Sequence, residues 1–286
     1  MIKDLISLTK LRLSALVVLT ALIGIFLAPG QHDILACAMS LLGTALLVAS
    51  ANAFNCYIER DVDAFMERTK DRPLPTGRLS SDVALAFASL LFLIAMALLI
   101  RFSNQLTCLL GILAFVSYVA LYTPMKRQSM WALFVGAVPG AIPPMMGWTL
   151  VRNQVEITAW ILFGILFLWQ LPHFISIAMY RQEEYENAGL KTLPGTMGWH
   201  NASQQLLLYT CLLIFVSFLP SFFNLAGTLY FISAAALGFF FLALCAKSMK
   251  KFPHPAKSRL VFFATLVYLP LLLGVWVFDK LIGSAS

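Results

Sequence analysis

Asn55, Glu59 and Asp63 recur at intervals of four residues. On a helix that spacing advances about 400°, so the three oxygen-bearing side chains fall within about 80° of one face. Left alone they repel, by a few tenths of a kcal/mol per like-charged pair in water and by more beside lipid. A hard divalent cation offsets that cost, and Mg2+ takes oxygen ligands, keeps several waters and shares its shell with substrate phosphates. Asp61, about 120° from Asn55, joins the group only where the helix ends or bends. Arg68, Lys70, Arg72 and Arg78 follow directly. Guanidinium forks match phosphate oxygens bidentately, so this stretch describes a metal–polyphosphate site. A loop of mixed surface ion pairs is the plainer reading, and it accounts less well for the evenly spaced ladder.

A second group lies further along. Tyr180 and Glu184 are one helical step apart, with Glu183 and Glu186 beside them. His173, 11 residues before Glu184, shares that face about 16 Å deeper. Pro172 is expected to bend the helix there and expose a carbonyl. An ionisable side chain in lipid is a functional candidate by default, and imidazole is a common ligand of haem iron. Lys126 and Arg127 either reach the same phosphates or simply anchor a span. Pro139, Gly140, Pro143 and Pro144 predict a bent helix beside a pocket, because interrupted backbone at membrane depth must be buried or line a cavity.

The elements that carry these residues are membrane spans. Of 286 residues 60% are hydrophobic and 12% charged, half the charge of an ordinary soluble domain. The apolar residues fall in runs near the 20 that a helix needs to cross lipid. Nine spans are placed near 13–29, 35–58, 83–100, 105–123, 131–150, 157–179, 205–223, 226–246 and 260–278. Continuous runs, not alternating ones, exclude a β-barrel. The fold expected is an all-α polytopic membrane protein, one domain over 1–286, with about nine transmembrane helices around an intramembrane cavity.

With the N-terminus cytoplasmic, 17 of the 20 Lys and Arg fall inside, among them Lys3, Lys10, Arg12, Lys250, Lys251 and Arg259. Only Arg101, Arg152 and Lys280 fall outside. This is the positive-inside pattern, so the net charge of +7 marks topology and not nucleic acid. Two long inner loops, about 59–82 and 181–204, hold nine of the 13 acidic residues. A transporter would carry such features at the midplane, so the chemistry belongs at the cytoplasmic surface. Cys37, Cys56, Cys108, Cys211 and Cys245 lack metal-site spacing and read as small buried hydrophobes. No cleavable signal peptide is expected.

The run Asn55-Cys-Tyr-Ile-Glu-Arg-Asp-Val-Asp63, with Met66-Glu-Arg-Thr69, Arg72-Pro-Leu74 and Gly77, resembles the first acidic motif of the UbiA superfamily of intramembrane prenyltransferases. The resemblance continues through Tyr122-Thr-Pro-Met-Lys-Arg127, Gly140-Ala-Ile-Pro-Pro144 and Gly147-Trp148. Trp169-Gln-Leu-Pro-His-Phe174, Tyr180-Arg-Gln-Glu-Glu-Tyr185, Ala188-Gly189 and Leu193-Pro194 extend it and point to the haem-modifying branch. There are departures. Lys10-Leu11-Arg12 replaces a usual Lys-Pro-Arg, which removes a kink but not the charges. Glu59 and Glu184 stand where Asp is common, Ala132 where Asn is expected, and Met197 where Lys is usual.

The resemblance implies farnesyl transfer from farnesyl diphosphate to a vinyl group of haem B with addition of water, giving haem O and diphosphate. It implies Mg2+ on Asn55, Glu59, Asp63 and Glu184, with these and Tyr180 catalytic. Arg68, Arg72, Lys126 and Arg127 would bind diphosphate, Tyr180 would donate to phosphate or orient Glu184, and His173 would position haem. It places the enzyme in lipid of the bacterial inner membrane, facing the cytoplasm, with a downstream haem-modifying or oxidase-assembly protein as a possible docking partner. Asp61, Glu183 and His200 receive no role. The rivals are a UbiA-type enzyme with an aromatic acceptor such as 4-hydroxybenzoate, a haem-binding scaffold without catalysis, and a transporter of an anionic metabolite.

Overall fold

A computed structural model describes residues 1–248 and 255–283; Lys250 and Lys251 of the inner-side count lie outside them. The described residues are helical: α1 (Ile2–Leu8), α2 (Leu11–Leu27), α3 (Ile34–Ile58), α4 (Arg60–Asp63), α5 (Ser81–Phe102), α6 (Gln105–Val116), a π-helical stretch (Ser117–Tyr122), α7 (Thr123–Met125), α8 (Ala132–Arg152), α9 (Ile157–Tyr180), α10 (Gln182–Asn187), α11 (Leu193–Phe222), α12 (Thr228–Ser248) and α13 (Pro255–Gly283). Eight spans are long and apolar enough to cross a membrane, and α1 with α2 makes a ninth if the bent pair counts as one. Each of the nine expected spans falls on described helix. Leu and Phe side chains left exposed along them, such as Leu93, Phe215 and Phe239, suit contact with lipid.

Two boundaries differ from expectation. The loop placed at 181–204 is mostly helix, because α11 starts at Leu193. Thr192 caps it, its hydroxyl accepting the Gly195 N–H at 3.2 Å, with Pro194 in the first turn. Gly198, at φ +80° and ψ 164°, is non-helical, so α11 is two helical pieces that meet at a kink there. The kink at Lys10-Leu11-Arg12 survives without its proline: α1 and α2 meet at 47°, and Lys10 takes a left-handed φ of 48°. Such a conformation costs a non-glycine residue about 1 kcal/mol. Hydrogen bonds hold it, since the Thr9 carbonyl accepts from Ser14 Oγ at 2.8 Å and from Asn52 Nδ2 at 3.3 Å.

The chain forms two compact units. The first comprises Met1–Val155 and Glu184–Leu190, the second Glu156–Glu183 and the described residues from Lys191 onward. In the first, α3 lies along α5, where Ala84, Ala88 and Ala95 are fully buried and Ser50 Oγ donates to the Ala88 carbonyl at 2.7 Å. Lipid gives apolar helices no reason to leave it, so small residues that let backbones touch carry the packing. α2 and α8 show this most closely: a Cβ on Gly24 would strike the Pro144 carbonyl, and one on Gly147 the Ala21 carbonyl.

That contact involves the stretch that contains Pro139, Gly140, Pro143 and Pro144. α8 runs as one helix through all three prolines, and 67% of its span is buried. At Pro144 and Gly147 that burial is close packing against α2. The cysteines differ in part from expectation: Cys56 and Cys245 are buried, Cys37 and Cys108 are half-buried, and Cys211 is exposed.

In the second unit α9, α11, α12 and α13 pack together. Polar groups there are paired locally: Tyr230 donates to the Ser217 carbonyl at 2.8 Å, Trp276 Nε1 donates to the Leu225 carbonyl at 3.2 Å, and Asp279 accepts the Gly227 and Tyr230 amides. The close α2–α8 approach yields a stability test. Gly147→Ala should cost about 1–3 kcal/mol, read as a lower thermal midpoint in detergent, because backbone must move to admit the methyl. Gly274→Ala, which meets nothing within 4 Å, is the control and should not lower the midpoint.

Candidate active site

α3 ends at Ile58, and Glu59 (φ −93°, ψ 5°) interrupts it before α4. The four-residue rhythm nevertheless persists, since the Glu59 amide donates to the Asn55 carbonyl at 2.9 Å and the Asp63 amide to the Glu59 carbonyl at 2.8 Å. Asn55 and Asp63 are almost fully buried, at 1% and 3% exposure. Each rung of the ladder meets a different base. Lys10 Nζ donates to Asn55 Oδ1 at 2.8 Å, Lys126 Nζ to Glu59 Oε1 at 2.7 Å, and Arg72 to Asp63 Oδ2 at 2.6 Å. The repulsion expected along the ladder is thus offset by the protein's own cations.

Supporting hydrogen bonds fix these groups. Asn55 Nδ2 donates to Thr123 Oγ1 at 3.2 Å, and that hydroxyl is itself spent on the Tyr118 carbonyl at 2.8 Å. The amide is therefore oriented with Oδ1 towards Lys10. Lys126 leaves the π-helical stretch and lies 4.5 Å from the centre of the Tyr122 ring, a cation–π contact. π-helical turns often mark functional sites, and here the turn is accommodated by Gly136, where any Cβ would overlap the Tyr122 ring. Burial alone would lower the Lys126 pKa, but Tyr122, Glu59 and Tyr118 outweigh it and raise it above 10.5.

Glu184 belongs to the same unit and accepts the Arg68 backbone N–H at a long 3.4 Å. The segment around it is held by Ala188, Tyr185 and Leu190 packing on Val62 and Met66. Arg68, Arg72 and Arg78, with Asp4 and Asp71, line an open pocket of about 280 Å³ beside this loop. Among the described residues no three His, Cys, Asp or Glu side chains gather closely enough to hold a metal by themselves. The arrangement offers two carboxylates and an amide oxygen ringed by cations, a place for a metal only in company with further oxygen ligands.

Residues 17–267 match the UbiA prenyltransferase family. The chain belongs to that family. A protoheme IX farnesyltransferase of Myxococcus xanthus (strain DK1622) is 45% identical over 277 residues, covering 97% of this chain and 94% of the relative. Among solved structures, one of digeranylgeranylglyceryl phosphate synthase has a TM-score of 0.83 at 18% identity, covering 97% of this chain and 98% of the other. A UbiA homologue of Archaeoglobus fulgidus bound to DMAPP and Mg2+ has a TM-score of 0.66 at 16% identity, covering 94% and 98%. At those identities the structural likeness establishes the fold.

Within this UbiA chain the remaining site residues are scattered. Arg127 is exposed and makes none of the ion pairs found among the described residues. The break at Glu59 does not bring Asp61 in; it stays exposed, 3.9 Å from Arg60 Nε. Glu183 and Glu186 are exposed, as is His200, which pairs with Gln204 at 3.2 Å. In the second unit, the Arg181 and Arg259 guanidiniums lie 5.3 and 5.7 Å from the Tyr180 ring centre. His173 is half-buried, with Nδ1 2.7 Å from Thr265 Oγ1 and its ring stacked on Trp169. Lys10, Arg259 and Thr265 escaped the sequence reading. The two bases counted only as topology charges, although Lys10 stood in a quoted motif, and nothing marked Thr265 out from other span threonines.

Two outcomes test the site's electrostatics. Arg72→Ala leaves the Asp63 carboxylate buried and unpaired and should cost up to about 3 kcal/mol in unfolding measurements, whereas adding Asp63→Asn should recover much of that loss. The raised Lys126 pKa means its ion pair is fully formed below pH 10.5 and fails only as pH rises through the higher folded-state value. Stability measured between about pH 6 and 9 should therefore show no alkaline decline that Lys126→Met removes.

Proposed function

We propose that the protein transfers the farnesyl group of farnesyl diphosphate to a vinyl group of haem B, with addition of water, giving haem O and diphosphate. The observation that carries this reading is 45% identity along 97% of the chain to a protoheme IX farnesyltransferase. The buried ladder and its bases supply a site of the right chemistry, and a family member of the same fold binds a prenyl diphosphate with Mg2+.

Asn55 Oδ1, Glu59, Asp63 and Glu184 would hold Mg2+. Hard oxygen donors suit it, and so few protein ligands leave room for the water and phosphate oxygens it prefers. When bound, the ion supplies positive charge to the leaving diphosphate. Lys126 and Arg72 are preorganised against the ladder and can pass from carboxylate to phosphate oxygens. Charge held in place before the reaction acts most strongly on charge that grows toward the transition state. Arg68 adds a guanidinium from the pocket rim, and exposed Arg127 adds attraction for an incoming anion. Tyr180 would donate its phenol hydrogen to a phosphate oxygen or orient Glu184.

The C1–O bond of the farnesyl group breaks with its electron pair passing to diphosphate. The terminal vinyl carbon then bonds to farnesyl C1, water captures the cation left beside the porphyrin, and a proton is released. An apolar pocket within the membrane for the farnesyl chain would delay premature capture by water. The 17-to-3 distribution of basic residues supports an inner-membrane location with the ladder facing the cytoplasm. A product this apolar stays in lipid, which favours handing it to a docked haem-modifying or oxidase-assembly protein.

The test is to supply the purified protein, in lipid, with haem B, farnesyl diphosphate and Mg2+, and to weigh the extracted haem. A product heavier by farnesyl plus water is expected. Recovery of unchanged haem B, with prenylation of a phenolic acceptor instead, would overturn the acceptor assignment. Glu59→Gln and Asp63→Asn should each lower turnover on the order of 100-fold or more. Near wild-type turnover in either variant would remove the ladder from the chemistry.

A further inference from the structure

Within the second unit, two guanidiniums lie over one tyrosine ring. Arg181 follows Tyr180 in sequence and lies 5.3 Å from its ring centre, so that contact is local. Arg259 comes from a different helix, α13, and lies 5.7 Å from the same centre. It also lies 5.7 Å from the Phe263 ring. Arg259 is exposed, and among the described residues it makes no hydrogen bond or ion pair. A cation–π contact engages the flat face of a guanidinium, whereas its five N–H donors point outward in the plane. The two rings therefore hold Arg259 by its face and leave its fork open to an anion.

The charge balance asks for one. On the side that the positive-inside pattern makes cytoplasmic, the described part of this unit has Arg181, Lys191, Lys247, Lys257 and Arg259 against a single acid, Glu183. Lys257 is spent on the Lys247 carbonyl at 3.1 Å. Anchoring a span needs only positive charge at this level. It does not need a guanidinium laid on a ring of another helix with its donors free.

The surface deeper along the same two helices is flat and aromatic. His173 precedes Tyr180 by seven residues, so it shares that face of α9 about 10 Å further in. Its ring lies 4.9 Å from Phe262, three residues after Arg259, and 4.9 Å from Trp169, which stacks on it. All three rings are half-buried. Such a surface suits an anion carried by a flat, apolar body. The flexible chains behind a lipid headgroup have no use for flat walls.

We propose that Arg259, with Arg181 beside it, receives the propionate carboxylates of the haem substrate and makes the acceptor site selective for a carboxylated porphyrin. The inference rests on the proposed function. Haem B carries two carboxylates on one edge of an otherwise apolar ring, and guanidinium forks match carboxylates bidentately.

The experiment is Soret titration of the protein in phosphatidylcholine vesicles with haem B and with its dimethyl ester, which lacks the charges. Arg259→Gln should weaken haem B binding about tenfold and leave the ester unaffected. Arg259→Lys, which keeps the charge but not the fork, should fall between. The double variant Arg181→Gln/Arg259→Gln should bind acid and ester alike. Unchanged haem B binding in Arg259→Gln overturns the proposal, as does equal weakening of acid and ester, which marks a merely structural role. A defect seen only when phosphatidylglycerol is added to the vesicles also overturns it, by assigning Arg259 to a lipid headgroup. In each of those cases a wild type that still makes haem O leaves the function standing. A wild type that neither binds haem B nor makes haem O overturns the function and this inference together.

Discussion

A buried row of oxygen atoms that cannot stand without cations governs this molecule. Asn55 and Asp63 are nearly inaccessible and Glu59 is only slightly less so, yet all three lie where the chain leaves an apolar span. Burying such groups unpaired costs several kcal/mol. The chain answers with Lys10, Lys126 and Arg72, drawn from three separate segments. Tying those segments to one ladder organises this end of the first unit. It also leaves a site in which cations and oxygen donors are already interleaved, the arrangement a metal–diphosphate needs.

Local irregularities make sense as the means of delivering those cations. Lys10 is held in a left-handed conformation at a 47° break, and Lys126 follows a π-helical stretch whose Tyr122 ring fits only because residue 136 has no side chain. Each costs the backbone something that a uniform helix would not. Elsewhere the helices avoid such costs and pack through alanine and glycine, since lipid offers no hydrophobic gain for bringing them together.

Much of this was legible in the sequence, because hydropathy reports contact with lipid and a four-residue spacing survives even a helix break. All nine spans and the shared face of Asn55, Glu59 and Asp63 were read on that basis. Pairing between distant segments was not legible. Lys10 and Arg12 look alike as inner-side charges, and only the tertiary fold sends Lys10 to Asn55. The Pro-Gly run of α8 marked buried backbone, but that signature does not say which helix packs on it; at Pro144 and Gly147 it is α2. α11 began early because Thr192 and Pro194 make a helix start out of a segment whose glycines read as loop.

The ladder and its bases are expected to form one site for metal and diphosphate together. Calorimetric titration of the lipid-reconstituted protein with Mg2+ and with inorganic diphosphate, each in the presence and absence of the other, measures this directly. If the ladder holds the metal while the bases move to the phosphate, each ligand should tighten the other's binding about tenfold or more, by an equal factor in both directions. Binding of diphosphate with the same affinity whether or not Mg2+ is present would contradict the account.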